Sequence, residues 1–74
     1  MEKVRVYYDV FAKTLTVWFG DPENEEVCEE ADDDTVFRKD ANGHIIGFEK
    51  LNVTLAPGSQ GLTVEVVNMP IPAA

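Results

Sequence analysis

The chain has 74 residues, a formal charge of −8 and a single cysteine. A domain this short buries only about 60% of the surface its unfolded chain exposes. With no second thiol and no Cys/His cluster, it has no disulfide or zinc to supplement a thin core, so by elimination self-association is the expected staple. The charge disfavours nucleic acid, whose phosphates would be repelled, and no apolar run approaches the roughly 20 residues of a membrane span. The opening "MEKVRVYYDV" lacks the apolar core of a signal peptide, so the cytoplasm is the expected address.

Residues 3–8, "KVRVYY", alternate Val4, Val6 and Tyr8 with Lys3, Arg5 and Tyr7. Residues 14–19, "TLTVWF", alternate Leu15, Val17 and Phe19 with Thr14, Thr16 and Trp18. Period two in β-branched and aromatic residues predicts strands. Closing them with "VFAK" as the loop sets Tyr8 against Leu15, Val6 against Val17 and Val4 against Phe19. The other face then pairs Arg5 with Trp18 and Tyr7 with Thr16, so every pair matches in polarity or can stack.

"DPENEEVCEEADDD", residues 21–34, holds nine of the fourteen acids and no base; the remainder of the chain sums to +1. Residues 23–31 could wind into a helical turn, but their like charges would repel at helical spacing. The stretch reads as a solvated connection before a docking arm for a basic partner. Its candidate docking residues are Glu25, Glu26, Glu29, Glu30, Asp32, Asp33 and Asp34.

"DTVFRKDANGHIIGFEKL" predicts a second hairpin, with strands over 35–39 and 44–51. Asn42-Gly43 suits a type I′ turn, while Asp40 suits a type I turn with Gly43 in a left-handed bulge; the two differ by one residue of register and both stay open. Simple alternation puts Ile46 and Phe48 on one face and Ile45 and Leu51 on the other. Apolar residues on both faces imply cover on both, which a lone small sheet cannot give. Tyr7, Trp18, Phe37, Ile45 and Leu51 are therefore the expected interface residues. Gly47 within the strand, opposite Arg38 or Phe37, points to close packing.

"APGSQG" reads as a turn-rich connection, and "LTVEVV", residues 62–67, as a fifth, accessory strand with Leu62, Val64 and Val66 aligned. Pro70 and Pro72 end regular structure. The expected fold is all-β: an antiparallel sheet of two consecutive hairpins plus a C-terminal accessory strand, in one domain spanning 1–74.

Tyr8, Asp9, Leu15, Val17, Glu26, Val27, Asp40, Gly43, Ile46, Gly47, Phe48, Glu49 and Leu51 form an ordered set. It consists of a Tyr-Asp strand end, a short turn, a "Leu-x-Ile"-like strand, a Glu-Val connection, an Asp-x-x-Gly hairpin and a final glycine-bearing strand. Over about residues 3–52 it resembles DUF2283, a small bacterial family of unknown function. Lys13 departs from a frequent Asp and Lys39 from a common aromatic, and the chain from Val53 onward looks like an extension. The resemblance implies a small β-rich cytoplasmic protein without assigned catalysis. Members occur beside genes for small toxin-like proteins, so it also implies an antitoxin-like role toward a small basic partner.

Chemistry has few candidates. A nucleophile needs a base beside it, and the single His44 reads as an exposed turn residue. Cys28 is flanked by Glu25, Glu26, Glu29 and Glu30, whose charges oppose a thiolate. Acid/base work needs carboxylates in contrasting environments, which a crowded exposed loop does not supply. Calcium needs a turn that converges six to eight oxygens, and residues 21–34 lack the EF-hand pattern. No cofactor and no catalytic or metal residues are expected. The sequence thus predicts a non-catalytic interaction protein forming a homodimer, with a small-molecule or cation-binding module at the dimer seam or the acidic loop as the alternative.

Overall fold

The structure, a computed structural model, describes residues 3–70. Five strands form one antiparallel sheet: β1 (Arg5–Asp9), β2 (Thr14–Trp18), β3 (Val27–Asp32), β4 (Thr35–Lys39) and β5 (Ile45–Lys50). Their spatial order is β1-β2-β5-β4-β3, which puts β5 at the centre and makes β1 and β3 the two edges. The chain is all-β, with no α-helix among the described residues.

The first hairpin has the expected register, with Arg5 opposite Trp18, Val6 opposite Val17, Tyr7 opposite Thr16 and Tyr8 opposite Leu15. Asp9 organises its turn: Oδ1 accepts from the N–H groups of Phe11 and Ala12 at 2.9 Å, and its carbonyl accepts from Lys13 N–H at 2.8 Å. Lys13 closes the loop at φ 58°, a left-handed conformation that costs a lysine more than an aspartate.

The second hairpin resolves the open choice of turn. Gly43 has φ 82° while Asn42 is not among the residues of positive φ, so the turn is type I with Gly43 in the left-handed position. Asp40 accepts from Gly43 N–H at 3.0 Å through its carbonyl, and from the N–H groups of Asn42 and His44 at 2.9 Å through Oδ1. The ladder then shifts: Lys39 pairs with Ile45 but Arg38 pairs with Gly47, leaving Ile46 as the extra residue of a bulge. This corrects the split expected from simple alternation. Opposite residues share a face and strand neighbours two apart share a face, so Ile45 joins Phe37 and Phe48 on one side. Leu51 stays with Glu49 and Gly47 on the other.

The largest departure lies in the acidic stretch. A single 3-10 turn, Pro22–Asn24, opens it, and Val27–Asp32 is a strand, not a connection. The reason lies across the ladder: β3 pairs with β4, which carries the Arg38-Lys39 dipeptide, and Glu29 reaches Lys39 Nζ at 2.7 Å. Strand geometry sends successive carboxylates to opposite faces, which relieves the repulsion that opposed a helix. Asp33 and Asp34 form the tight turn into β4, where Asp32 Oδ1 accepts from Asp34 N–H at 2.8 Å.

The expected strand over 62–67 is absent. These residues are exposed and without regular structure, so the fifth strand of the sheet is β3. After β5, Leu51 N–H bonds Asp34 O at 2.7 Å, Asn52 turns the chain at φ 58°, and Val53 N–H bonds Lys13 O at 2.8 Å. The chain then reaches a turn closed by Ser59 N–H to Ala56 O at 3.1 Å around Pro57-Gly58. Pro72 lies outside the described residues.

Gly47 is the best buried residue of the sheet, between Trp18 and Arg38 on its two neighbours. A Cβ there would lie 2.8 Å from Trp18 Cε3 and 2.8 Å from the Val17 carbonyl oxygen. Backbone cannot yield cheaply on the central strand, so Gly47→Ala is expected to cost about 1–3 kcal/mol. Urea unfolding of the variant beside the parent measures it, and an unchanged midpoint would show that the contact is not needed.

Candidate functional site

The sheet presents two unlike sides. The register aligns Val6, Val17, Phe48 and Phe37 in one row across four strands, with Tyr8 and Leu15 in the row beside it. All six are only half-buried. No hydrophobic side chain among the described residues is buried, and Val4, Phe19, Val27 and Ile45 are 60%, 47%, 49% and 42% exposed. The chain presents 6213 Å² to solvent, whereas a compact monomer of this mass is expected to present about 4,500 Å².

The other side is organised by Arg38. Its Nη1 donates to Glu25 Oε2 at 3.0 Å and to Cys28 Sγ at 3.4 Å, and Nη2 donates to Glu49 Oε2. Because Gly47 carries no side chain, the guanidinium reaches across β5 to within 6.0 Å of the Trp18 ring centroid. Burial works against the charge, but the hydrogen bonds to Glu25 and Glu49 outweigh it and the Arg38 pKa is raised. Arg38 Nε is buried without a hydrogen-bond partner among the described residues.

The expected interface residues therefore do not form one patch. Phe37 and Ile45 lie on the apolar side, while Tyr7 and Trp18 share the Arg38 side with Leu51. Trp18 is half-buried against Gly47 and Arg38, and Tyr7 is 55% exposed. Val17 and Phe48 sit at the centre of the apolar side; the alternation of "TLTVWF" marked Val17 as facing inward, but only the sheet order places it on a side with no second layer of strands or helices among the described residues.

The acidic segment divides in two. Glu25 and Glu29 are paired with Arg38 and Lys39, Asp32 caps the turn, and Asp34 Oδ1 accepts from Asn52 Nδ2 at 2.7 Å. Glu26, Glu30 and Asp33 are exposed with no ion pair among the described residues, on or beside the free edge of β3. A shallow hollow of about 280 Å³ is lined by Glu23, Glu26, Asp40 and Asn42, but the Asp40 carboxylate is already engaged by backbone N–H groups. Among the described residues no three His, Cys, Asp or Glu side chains converge on a cation position.

Of the remaining chemistry, His44 is 76% exposed, with Nδ1 3.4 Å from Asp40 Oδ2. Cys28 is exposed on β3 and, besides its acidic sequence neighbours, faces the Arg38 guanidinium from β4, a neighbour only the strand pairing reveals. No helix among the described residues is long and apolar enough to cross a membrane.

Residues 5–53 match the family described as a protein of unknown function, DUF2283. The matched span runs from the first residue of β1 to the residue that anchors the chain beside Lys13. It takes in all five strands and both sides of the sheet. The chain belongs to this family. No curated protein and no solved structure gives a significant match.

Two outcomes follow from the electrostatics. Replacing Arg38 by Met removes the shared cation of Glu25 and Glu49, and is expected to cost about 1–3 kcal/mol. Arg38→Lys should recover less than half of that, because an ammonium cannot fork between two carboxylates. Chemical denaturation compares the three proteins. Asp40 and Asp32 titrate below the usual 3.8, chiefly because backbone N–H groups of His44 and Asp34 respectively bond the charged forms. A lowered folded pKa contributes stability above the unfolded value and loses it as pH falls through the folded one. Stability is therefore expected to fall as the pH drops below 3.8, with a shallower fall in Asp40→Asn; parallel acid titrations would refute this.

Proposed function

We propose that this protein is a non-catalytic interaction module that works as a homodimer, two sheets stacked through the Val17–Phe48–Phe37 side. The observation that supports the reading is the lack of any buried hydrophobic side chain among the described residues. One layer of sheet has no second layer to pack against, and domains are held by two. Each apolar side chain moved from water to an interior is worth about 1.5–3 kcal/mol. Six half-buried ones per copy thus decide whether a domain of this size is stable. The excess of roughly 1,700 Å² over a compact monomer comes from the open side of the sheet together with the exposed residues 56–70, so it is an upper bound on the area a partner would cover.

The same side chains argue against catalysis as the role. The single histidine is solvent-exposed in a turn, and the ionic cluster around Arg38 is closed on itself by two carboxylates and an indole. The one thiol near the cluster, Cys28, meets the Arg38 guanidinium at 3.4 Å and hydrogen-bonds no base among the described residues.

A second reading, compatible with the first, concerns the β3 edge. The exposed Glu26, Glu30 and Asp33 would steer a small basic protein toward an open strand, as in the antitoxin-like role that the family resemblance suggests. Attraction of this kind acts mainly on association rate and weakens with salt. A lysine-rich β-strand peptide should bind at low salt and dissociate as salt rises. Glu30→Lys should abolish that binding while leaving the homodimer intact.

For the homodimer, sedimentation at micromolar concentration is expected to give twice the 8.2 kDa chain mass. The melting temperature should fall on dilution, and Val17→Lys should give a monomer or an unfolded chain. A folded 8.2 kDa species whose melting is independent of concentration would end the proposal.

A further inference from the structure

We infer that residues 62–67 form a strand in trans, added antiparallel to the free edge of β1 in a second copy of the chain. This rests on the homodimer proposed above and supplies its second contact. The segment "LTVEVV" alternates as a strand should, yet every residue of it is exposed, with Leu62, Val64 and Val66 at 41%, 54% and 78%. It is a strand-forming sequence without a sheet. The sheet, for its part, has an edge without a neighbour: β1 pairs only with β2.

Chemistry selects that edge. Along β3 the incoming Glu65 would meet Glu29 and Glu30, and valines would face carboxylates. Along β1 one antiparallel register suits residues 62–66 and leaves Val67 opposite Lys3, beyond the start of the strand. Val64 opposite Val6 brings Leu62 to Tyr8, Thr63 to Tyr7, Glu65 to Arg5 and Val66 to Val4. The three aliphatic residues extend the apolar side, and the only charge of the segment meets a base. A parallel placement that keeps Glu65 opposite Arg5 runs residues 62–64 past the start of β1 and loses the Leu62–Tyr8 pair. The open hollow of about 290 Å³ beside Lys3, Arg5 and Phe19 lies at the end of β1 where Val66 would arrive.

The exit route of the chain favours a second copy over its own edge. Tyr8, on the apolar side, donates its hydroxyl to Val53 O at 2.6 Å, so the chain leaves the sheet on the side where a stacked partner sits. Stacked sheets lie about 10 Å apart. The connection over 54–61, kinked at Pro57-Gly58, spans at most about 28 Å if extended, enough to cross to the opposite sheet. Its own β1 is also within reach, and the segment does not lie on it.

The test uses the full chain in a Cys28→Ser background. Arg5→Cys and Glu65→Cys variants, expressed separately and mixed under mild oxidant, should form a disulfide between unlike chains. Glu65→Cys mixed with Asp33→Cys, on the other edge, should not. In the otherwise native chain Glu65→Lys should weaken dimerisation roughly tenfold, and adding Arg5→Glu should restore it. If Arg5→Cys/Glu65→Cys in one chain closes only within itself, the strand adds in cis and the inference fails. A wild-type dimer that gives no cross-link refutes strand exchange alone, whereas a wild-type monomer removes the dimer as well.

Discussion

The structure depends on one constraint: the apolar row of Val6, Val17, Phe48 and Phe37 has no second layer of strands or helices above it among the described residues. Backbone ladders satisfy hydrogen bonds but do little to remove side chains from water. A sheet gains its hydrophobic stabilisation only when something lies across it. In this chain the order β1-β2-β5-β4-β3 concentrates the bulkiest apolar pairs at the centre, on β2, β5 and β4, and leaves the acidic residues to the β3 edge. The sheet is thereby fully paired on its three inner strands and has no buried hydrophobic side chain among the described residues.

On the reverse side the problem is solved internally, and Gly47 makes the solution possible. Removing one side chain from the central strand lets Arg38 lean across it to Trp18, and the same guanidinium holds Glu25 from the edge of the sheet and Glu49 from its middle. One cation thus ties β2, β4 and β5 to the segment that precedes β3. The bulge at Ile46 belongs to this arrangement, because it sets Gly47, and not a larger residue, between Arg38 and Trp18. The Arg38 side is tied together by these contacts, whereas the apolar side has no second layer of strands or helices among the described residues.

Much of this was legible in the residues. Taking "VFAK" as a four-residue loop gave every pair of the first hairpin from Arg5–Trp18 to Tyr8–Leu15, and polarity matching agreed with it, because a slip of one residue would turn each side chain to the other face. The Asp40–Gly43 turn was narrowed to two forms, and the choice needed a backbone angle at Asn42 that composition does not determine. Two features escaped for one shared reason, that strand formation depends on a partner. Val27–Asp32 lacks apolar alternation and forms a strand because Arg38 and Lys39 lie opposite it. Residues 62–67 have the alternation and form none within the single chain, where no edge receives them.

The charge asymmetry between the two edges has a consequence for how far such sheets can grow. Two copies meeting β3 to β3 would bring Glu29 and Glu30 of one against those of the other, so a symmetric ribbon is blocked at low salt and eased by screening. The same edge meeting Arg5 on β1 would instead be attracted, head to tail, and that geometry has no natural end. Occupation of β1 by residues 62–67 of a second copy, as inferred above, would deny β3 that basic edge, and acid, which discharges the carboxylates, would weaken the β3–β1 attraction and the β3–β3 repulsion alike.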